Sequence, residues 1–227
     1  MRGIVCARHV VSSLLLIGLT MSSAVPAREP TEDEIDRLAQ RALEAFQNPG
    51  IAIGVVKDGD LIYATGHGVR EIGRPDPVDA DTIFQIASLT KAFTAASLGI
   101  LVDEGKLGWD DPVIDYLPEF RMYDPWVTRE FTIRDLLTHR SGLGLGAGDL
   151  LFWPVARSTT QDVIEAMRHL KPETSFRTAY AYDNLFYAIA GEVVSVVSGV
   201  PWEDFVETRI MEPLDMTDCR SKPDRLG

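Results

Sequence analysis

Every clear strand signal in this chain of 227 residues falls in its first third. Asp58-Gly59 joins two runs, residues 51–56 and 60–66, that are rich in residues favouring extended backbone, and a two-residue Asp-Gly link is a strong hairpin signal. Beyond Thr82 the apolar residues recur at helical spacing. A two-stranded ribbon is marginal alone. The layout therefore predicts an α+β fold in which an antiparallel sheet packs against helices and needs more strands than these. The sequence stops in a polar stretch at Leu226-Gly227, and we expect a domain truncated before its C-terminal strands.

Ahead of the hairpin, residues 31–47 read as a helix: Thr31 caps it, Glu32, Asp33 and Glu34 suit its positive end, and Asn48-Pro49-Gly50 stops it. Residues 84–105 form a helix that is apolar nearly all round, which predicts burial on every side. Asp111-Pro112 suggests a cap and first residue of a short helix. Thr132 and Asp135 make a capping box for residues 133–139, and Thr160 caps a helix closed by Lys171-Pro172. Helices over 184–198 and 202–211 follow, divided by Gly199 and Pro201.

The first 27 residues carry a basic start (Arg2, Arg8, His9), an apolar run over 10–19 and a small-residue exit at Val25-Pro26-Ala27. That pattern is a secretory signal peptide, cleaved after Ala24 or Ala27, and its apolar run is too short for a bilayer span. The expectation is a periplasmic or secreted domain over 28–227 with no stable membrane span after cleavage. The formal charge is −12, and losing Arg2 and Arg8 makes it more negative by two. Such a surface repels nucleic acid and anionic lipid. Cys6 leaves with the signal, so Cys219 has no internal disulfide partner. No His/Cys cluster has metal-ligand spacing, and no cofactor is implied.

Two polar side chains interrupt the apolar helix at its start, Ser88 and Lys91. Three residues apart, they lie on one face one turn from each other. A serine hydroxyl needs a positioned base to become a nucleophile. Apolar surroundings and the positive helix end both disfavour the Lys91 ammonium, leaving an amine able to take that proton. The bland alternative is a Ser88 cap and a Lys91 that snorkels to water. Of the twelve serines, only Ser88 has Lys three residues on. Tyr182-Asp183-Asn184, the sole Tyr-x-Asn, stands at a helix entrance. A phenol with a lysine beside it relays protons, and an Asn amide holds a carbonyl. Alternatively Tyr182 is a packed aromatic and Asn184 or Asp183 an N-cap.

Taken together, Ser88-Leu89-Thr90-Lys91, Tyr182-Asp183-Asn184, the stretch LLTHRSGL (136–143) and the stretch EPLDMTD (212–218) resemble the class C β-lactamase-like serine hydrolases, whose relatives include penicillin-binding-protein-like and esterase-like members. The likeness runs from about Thr31 to the end. It implies a β-lactamase/transpeptidase-like fold with a mostly helical insertion over about 111–171. It also implies a covalent acyl-enzyme at Ser88, proton transfers shared by Lys91 and Tyr182, and substrate orientation by Asn184. The substrate would be a β-lactam, a D-amino-acid peptide or an ester, a small molecule or cell-wall peptide. A penicillin-binding or peptidoglycan-sensing module acylated without turnover is the alternative, as is an inactive fragment. The family's third motif, Lys-Thr-Gly or His-x-Gly, does not follow Asn184 and is expected beyond residue 227. Lys57-Asp58-Gly59 and His67-Gly68 precede the nucleophile and belong to the hairpin. Asp215 stands where the family usually has Gly, which bears on a turn.

His139 with Asp149 invites a Ser-His-acid triad, but no Gly-x-Ser-x-Gly elbow exists and Lys91 already offers a base. We read His139 as bracing a loop. Gly142, Gly144, Gly146 and Gly148 follow a helix and lack dinucleotide-loop spacing, which suggests a flexible cleft rim. Residues 150–153 (Leu-Leu-Phe-Trp) offer an apolar wall or core packing, and Asp79 and Asp81 a turn.

Overall fold

Thr31 starts the first helix as the sequence leads one to expect. Its hydroxyl accepts from the Glu34 amide while the Glu34 carboxylate reaches back to the Thr31 amide, and helix α1 runs Glu32–Phe46. These details come from a computed structural model that describes residues 28–153, 158–222 and 225. The segment read as a signal peptide lies outside the described residues. The chain divides into two compact units, one ending at Thr82 and one beginning at Ile83.

In the first unit, β1 (Gly50–Lys57) pairs antiparallel with β2 (Asp60–Gly68) from Gly50 opposite Gly68 to Lys57 opposite Asp60, with a bulge between Val55 and Val56. Asp58 and Gly59 both take positive φ, 51° and 94°, the twist that a two-residue hairpin turn requires. Helix α1 buries Ile35 and Ala39, and Tyr63 of β2 is also buried. The Tyr63 hydroxyl donates to Asp36 Oδ1 at 2.5 Å and lies 2.9 Å from Nε2 of buried His67, tying α1 to β2. His67-Gly68 thus serves the hairpin. Asp79 and Thr82 close a turn through their side chains.

The second unit is helical. Helix α2 (Thr90–Asp103) follows a single 3-10 turn, Ala87–Leu89, so residues 84–86 expected to be helical are not. Nor is α2 buried all round: Thr94, Ser97, Leu98 and Leu101 form its buried face, while Ala92 and Ala96 are exposed. Small side chains on that far side need no core partner, which is why an apolar composition did not mean full burial.

Among the described residues between 111 and 171 the helices have only three to seven residues each, joined by loops. They include α3 (Pro125–Glu130), α4 (Ile133–Thr138) and α5 (Thr160–Ala166). Thr132 and Asp135 cap α4 reciprocally, but α5 is capped by Thr159 with Asp162 rather than by Thr160. Pro112 is extended, not the first residue of a helix, because the Asp111 carboxylate turns back to the Gly108 amide and the Tyr116 hydroxyl, 2.6 Å from each. A 3-10 turn, Val113–Asp115, follows instead.

Helix α6 (Leu185–Ser198) is the hub. Its Phe186, Ile189, Ala190, Val193 and Val194 are fully buried, and α2, α4 and α5 pack on it. Phe131 stacks on Phe186 at 5.1 Å and on Phe176 at 5.3 Å, with Phe120 tilted against it at 5.5 Å. Gly199 ends α6 in the left-handed conformation, and α7 (Trp202–Val206) continues into a wider π turn. Asp215 adopts φ 55°, the backbone geometry that a glycine would hold without strain. Among the described residues no single helix is long and apolar enough to cross a membrane.

Candidate active site

The middle of the 3-10 turn before α2 carries Ser88 into an open cleft. Ala87, just ahead of it, sits at φ 44°, a strained value for a residue with a Cβ. Lys91 lies in the first turn of α2. Its Nζ donates to Ser88 Oγ at 3.2 Å and to Asn184 Oδ1 at 2.7 Å. The Tyr182 hydroxyl donates to the same Ser88 oxygen at 2.7 Å. Residues 88 and 182 meet because α2 packs along α6, whose entrance carries Tyr182 and Asn184. The structure thus brings together all four side chains singled out above: Ser88, Lys91, Tyr182 and Asn184.

The surroundings of Lys91 differ from those the apolar helix suggested. Ser88 is exposed and Lys91 only half-buried. Lys91 is held by polar and aromatic partners, its Nζ 4.7 Å from the ring centre of Tyr182 and 5.3 Å from that of Tyr187. Tyr182 feels this neighbourhood directly. Burial pushes its phenol up, but hydrogen bonds with Lys91 and Ser88 and the Lys91 charge outweigh that effect and bring its pKa below the ordinary tyrosine value. A phenol that ionises more readily beside a hydroxyl is a proton acceptor in waiting.

Asp183, between the two site residues, caps α6: its Oδ1 accepts from the Leu185 amide at 2.8 Å, while the Asn184 side chain makes no capping bond. His139 follows α4 at φ 56°. Its Nδ1 accepts from the Asp183 amide at 3.2 Å, and its ring leans on Tyr182 at 4.5 Å. Burial and the Lys91 charge lower the His139 pKa, which favours the neutral ring whose nitrogen can accept that bond. His139 therefore braces the loop.

Asp149, weighed in the sequence only as the acid of a triad, accepts from Asn184 Nδ2 at 3.1 and 3.3 Å. With Tyr187 it is a site neighbour that sequence reasoning missed. Tyr187 could have been found as the residue one helical turn beyond Asn184, whereas Asp149 had no local signal. The glycine segment before Asp149 is fastened rather than loose: Gly142 O accepts from the amides of Glu173 and Thr174, and the Gly146 amide donates to Tyr182 O. A Cβ on Gly148, at φ 78°, would come within 2.4 Å of Leu185 Cδ1. Glycine there permits close packing on α6.

The cleft has a volume of about 690 Å3, and besides Ser88, Lys91, Asp149 and Asn184 it is lined by Phe152 and Trp153. Leu151 and Phe152 pack half-buried against the core and Leu150 is 87% exposed, so the stretch 150–153, read as an apolar wall or core packing, divides between the two, with only Phe152 and Trp153 facing the cleft. Among the described residues no group of three or more His, Cys, Asp or Glu could hold a metal ion.

Residues 35–227 match the family model described as Beta-lactamase, and the chain belongs to that family. It is 34% identical to penicillin-binding protein 4 of Amycolatopsis lactamdurans over 78% of this chain and 45% of that protein. Identity to the unguisins hydrolase ungD of Aspergillus violaceofuscus is 31%, over 83% of this chain and 34% of that protein. The octameric penicillin-binding protein homologue from Pyrococcus abyssi superposes with a TM-score of 0.71 at 30% identity, covering 81% of this chain and 43% of that one. The fold is β-lactamase/transpeptidase-like. The chain spans between a third and a half of the length of these relatives.

Proposed function

We propose that this protein is a secreted or periplasmic serine hydrolase that works through a covalent acyl-enzyme on Ser88. The observation that carries the reading is a single oxygen, Ser88 Oγ, contacted at once by Tyr182 OH at 2.7 Å and Lys91 Nζ at 3.2 Å. Loss of one proton from this cluster, for which the Tyr182 phenol is tuned downward, turns the Tyr182 oxygen into the acceptor for the serine proton. Ser88 Oγ then bonds to the acyl carbon, and the bond from that carbon to its amine or alkoxide leaving group breaks. The leaving group takes the proton back from Tyr182 with Lys91 beside it. Water repeats the sequence and releases the acid. Asn184 borders the space for the acyl group and is the proposed substrate contact. The similarity to a hydrolase and to penicillin-binding proteins supports an acyl substrate of the β-lactam kind, and a D-amino-acid peptide or an ester would present the same acyl carbon to Ser88. The basic and apolar start of the sequence supports export.

Labelling of the full-length gene product with a fluorescent penicillin and with an activated ester tests the assignment. Ser88→Ala should abolish the label, and undiminished labelling overturns the proposal. Steady product release marks a hydrolase. A stoichiometric burst without release would instead make the protein an acylated sensor.

A further inference from the structure

The Asn184 amide is engaged at both ends by opposite charges. Its carbonyl oxygen accepts a hydrogen bond from Lys91 Nζ at 2.7 Å, and its amino group donates to the two oxygens of Asp149 at 3.1 and 3.3 Å. An amide has one accepting end and one donating end. Turned over, it would set amino group against ammonium and carbonyl against carboxylate, losing two charge-assisted hydrogen bonds together. We infer that Asp149 is a positioning residue: by holding the Asn184 amide in one orientation, it fixes the Lys91 amine against Ser88.

The inference rests on the acyl-enzyme reading and adds a part to it. Lys91 on a flexible four-carbon stem could swing away from Ser88. An Asn184 carbonyl that always faces Nζ retains one of its N–H bonds and leaves the rest of the amine, lone pair included when neutral, for the serine and tyrosine oxygens. Asp149 is itself placed by the fold. Its amide donates to Gly146 O at 3.1 Å, the Gly146 amide donates to Tyr182 O at 2.9 Å, and Gly148 packs on Leu185, so the carboxylate is registered to both ends of the 182–185 turn. An acceptor at residue 149 is what the arrangement uses.

The experiment measures the second-order acylation rate constant with the same penicillin and ester probes across pH, for wild type and for Asp149→Ala, Asp149→Asn, Asn184→Ala and the Asp149→Ala/Asn184→Ala double variant, with Ser88→Ala alongside. Losing a hydrogen bond to a charged group should slow Asp149→Ala by about tenfold to a hundredfold and shift its pH–rate profile. Asp149→Asn retains an accepting oxygen and should restore most of the rate. Because Asp149 acts through Asn184, the double variant should be no slower than Asn184→Ala alone. Wild-type acylation by Asp149→Ala, an Asp149→Asn as slow as the alanine, or additive losses in the double variant each overturn the inference. Label retained in Ser88→Ala overturns the acyl-enzyme reading instead, and so tells the two failures apart. The cycle compares variants with Asn184→Ala, so a general loss of fold in Asp149→Ala shows as an extra loss in the double variant and counts against the inference.

Discussion

Asp183 provides the sharpest test of how burial and chemistry meet at this site. Its side chain is fully buried, Oδ1 accepts from the Leu185 amide, and Oδ2 has no partner among the described residues. Burial raises its pKa from the ordinary 3.8 to about 6, with the nearby Asp149 charge adding to the rise. A shift of about two units corresponds to about 3 kcal/mol against the ionised form in the fold. The folded state keeps a proton that the unfolded chain releases above pH 3.8. The stability this contributes is therefore complete below 3.8 and lost as pH rises through about 6. Asp183→Asn keeps the oxygen that caps Leu185 and cannot ionise. Its amino group, placed where Oδ2 has no partner, costs about 1–3 kcal/mol at every pH. That constant offset cancels when two pH values are compared. Urea unfolding at pH 4 and pH 8 should show the stability difference moving towards the variant by about 2–3 kcal/mol between them. Parallel profiles for variant and wild type would refute the reasoning.

Phe131 is fully buried and touches three other aromatic rings, so Phe131→Ala should cost about 3–5 kcal/mol in denaturant unfolding. A loss below about 1 kcal/mol would show that the stack does not organise the core. Gly148→Ala must fit a Cβ within 2.4 Å of Leu185 Cδ1 at φ 78°, and should cost about 1–3 kcal/mol. An unchanged thermal midpoint would disprove the close packing.

Local patterns carried much of the fold. Thr31 and Thr132 cap where the spacing of hydroxyl and carboxylate puts them, and Asp58-Gly59 turns the hairpin, because such features depend on a few consecutive residues. The same local logic failed at Pro112, where Asp111 is claimed by Gly108 and Tyr116, and at the start of α2, where a 3-10 turn precedes the α-helix. The glycines of 142–148 read as a loose rim, since nothing in their own sequence reveals the amides of Glu173 and Thr174 that hold them.

By itself the sequence determined which side chains could do acyl chemistry: Ser88 and Lys91 share a helix face by spacing alone, and Tyr182 and Asn184 stand together at another helix entrance. Only the tertiary structure decided that these pairs meet, since residues 94 positions apart converge through the packing of α2 on α6. It also set the surroundings of each group. The apolar pattern pointed to a desolvated lysine, whereas folding left Lys91 half-buried among Asn184 and two aromatic rings and lowered the Tyr182 phenol. Hydrophobic periodicity records which side of a helix turns inward, but a proton's preference depends on atoms a few ångströms away, and those are brought by distant parts of the chain.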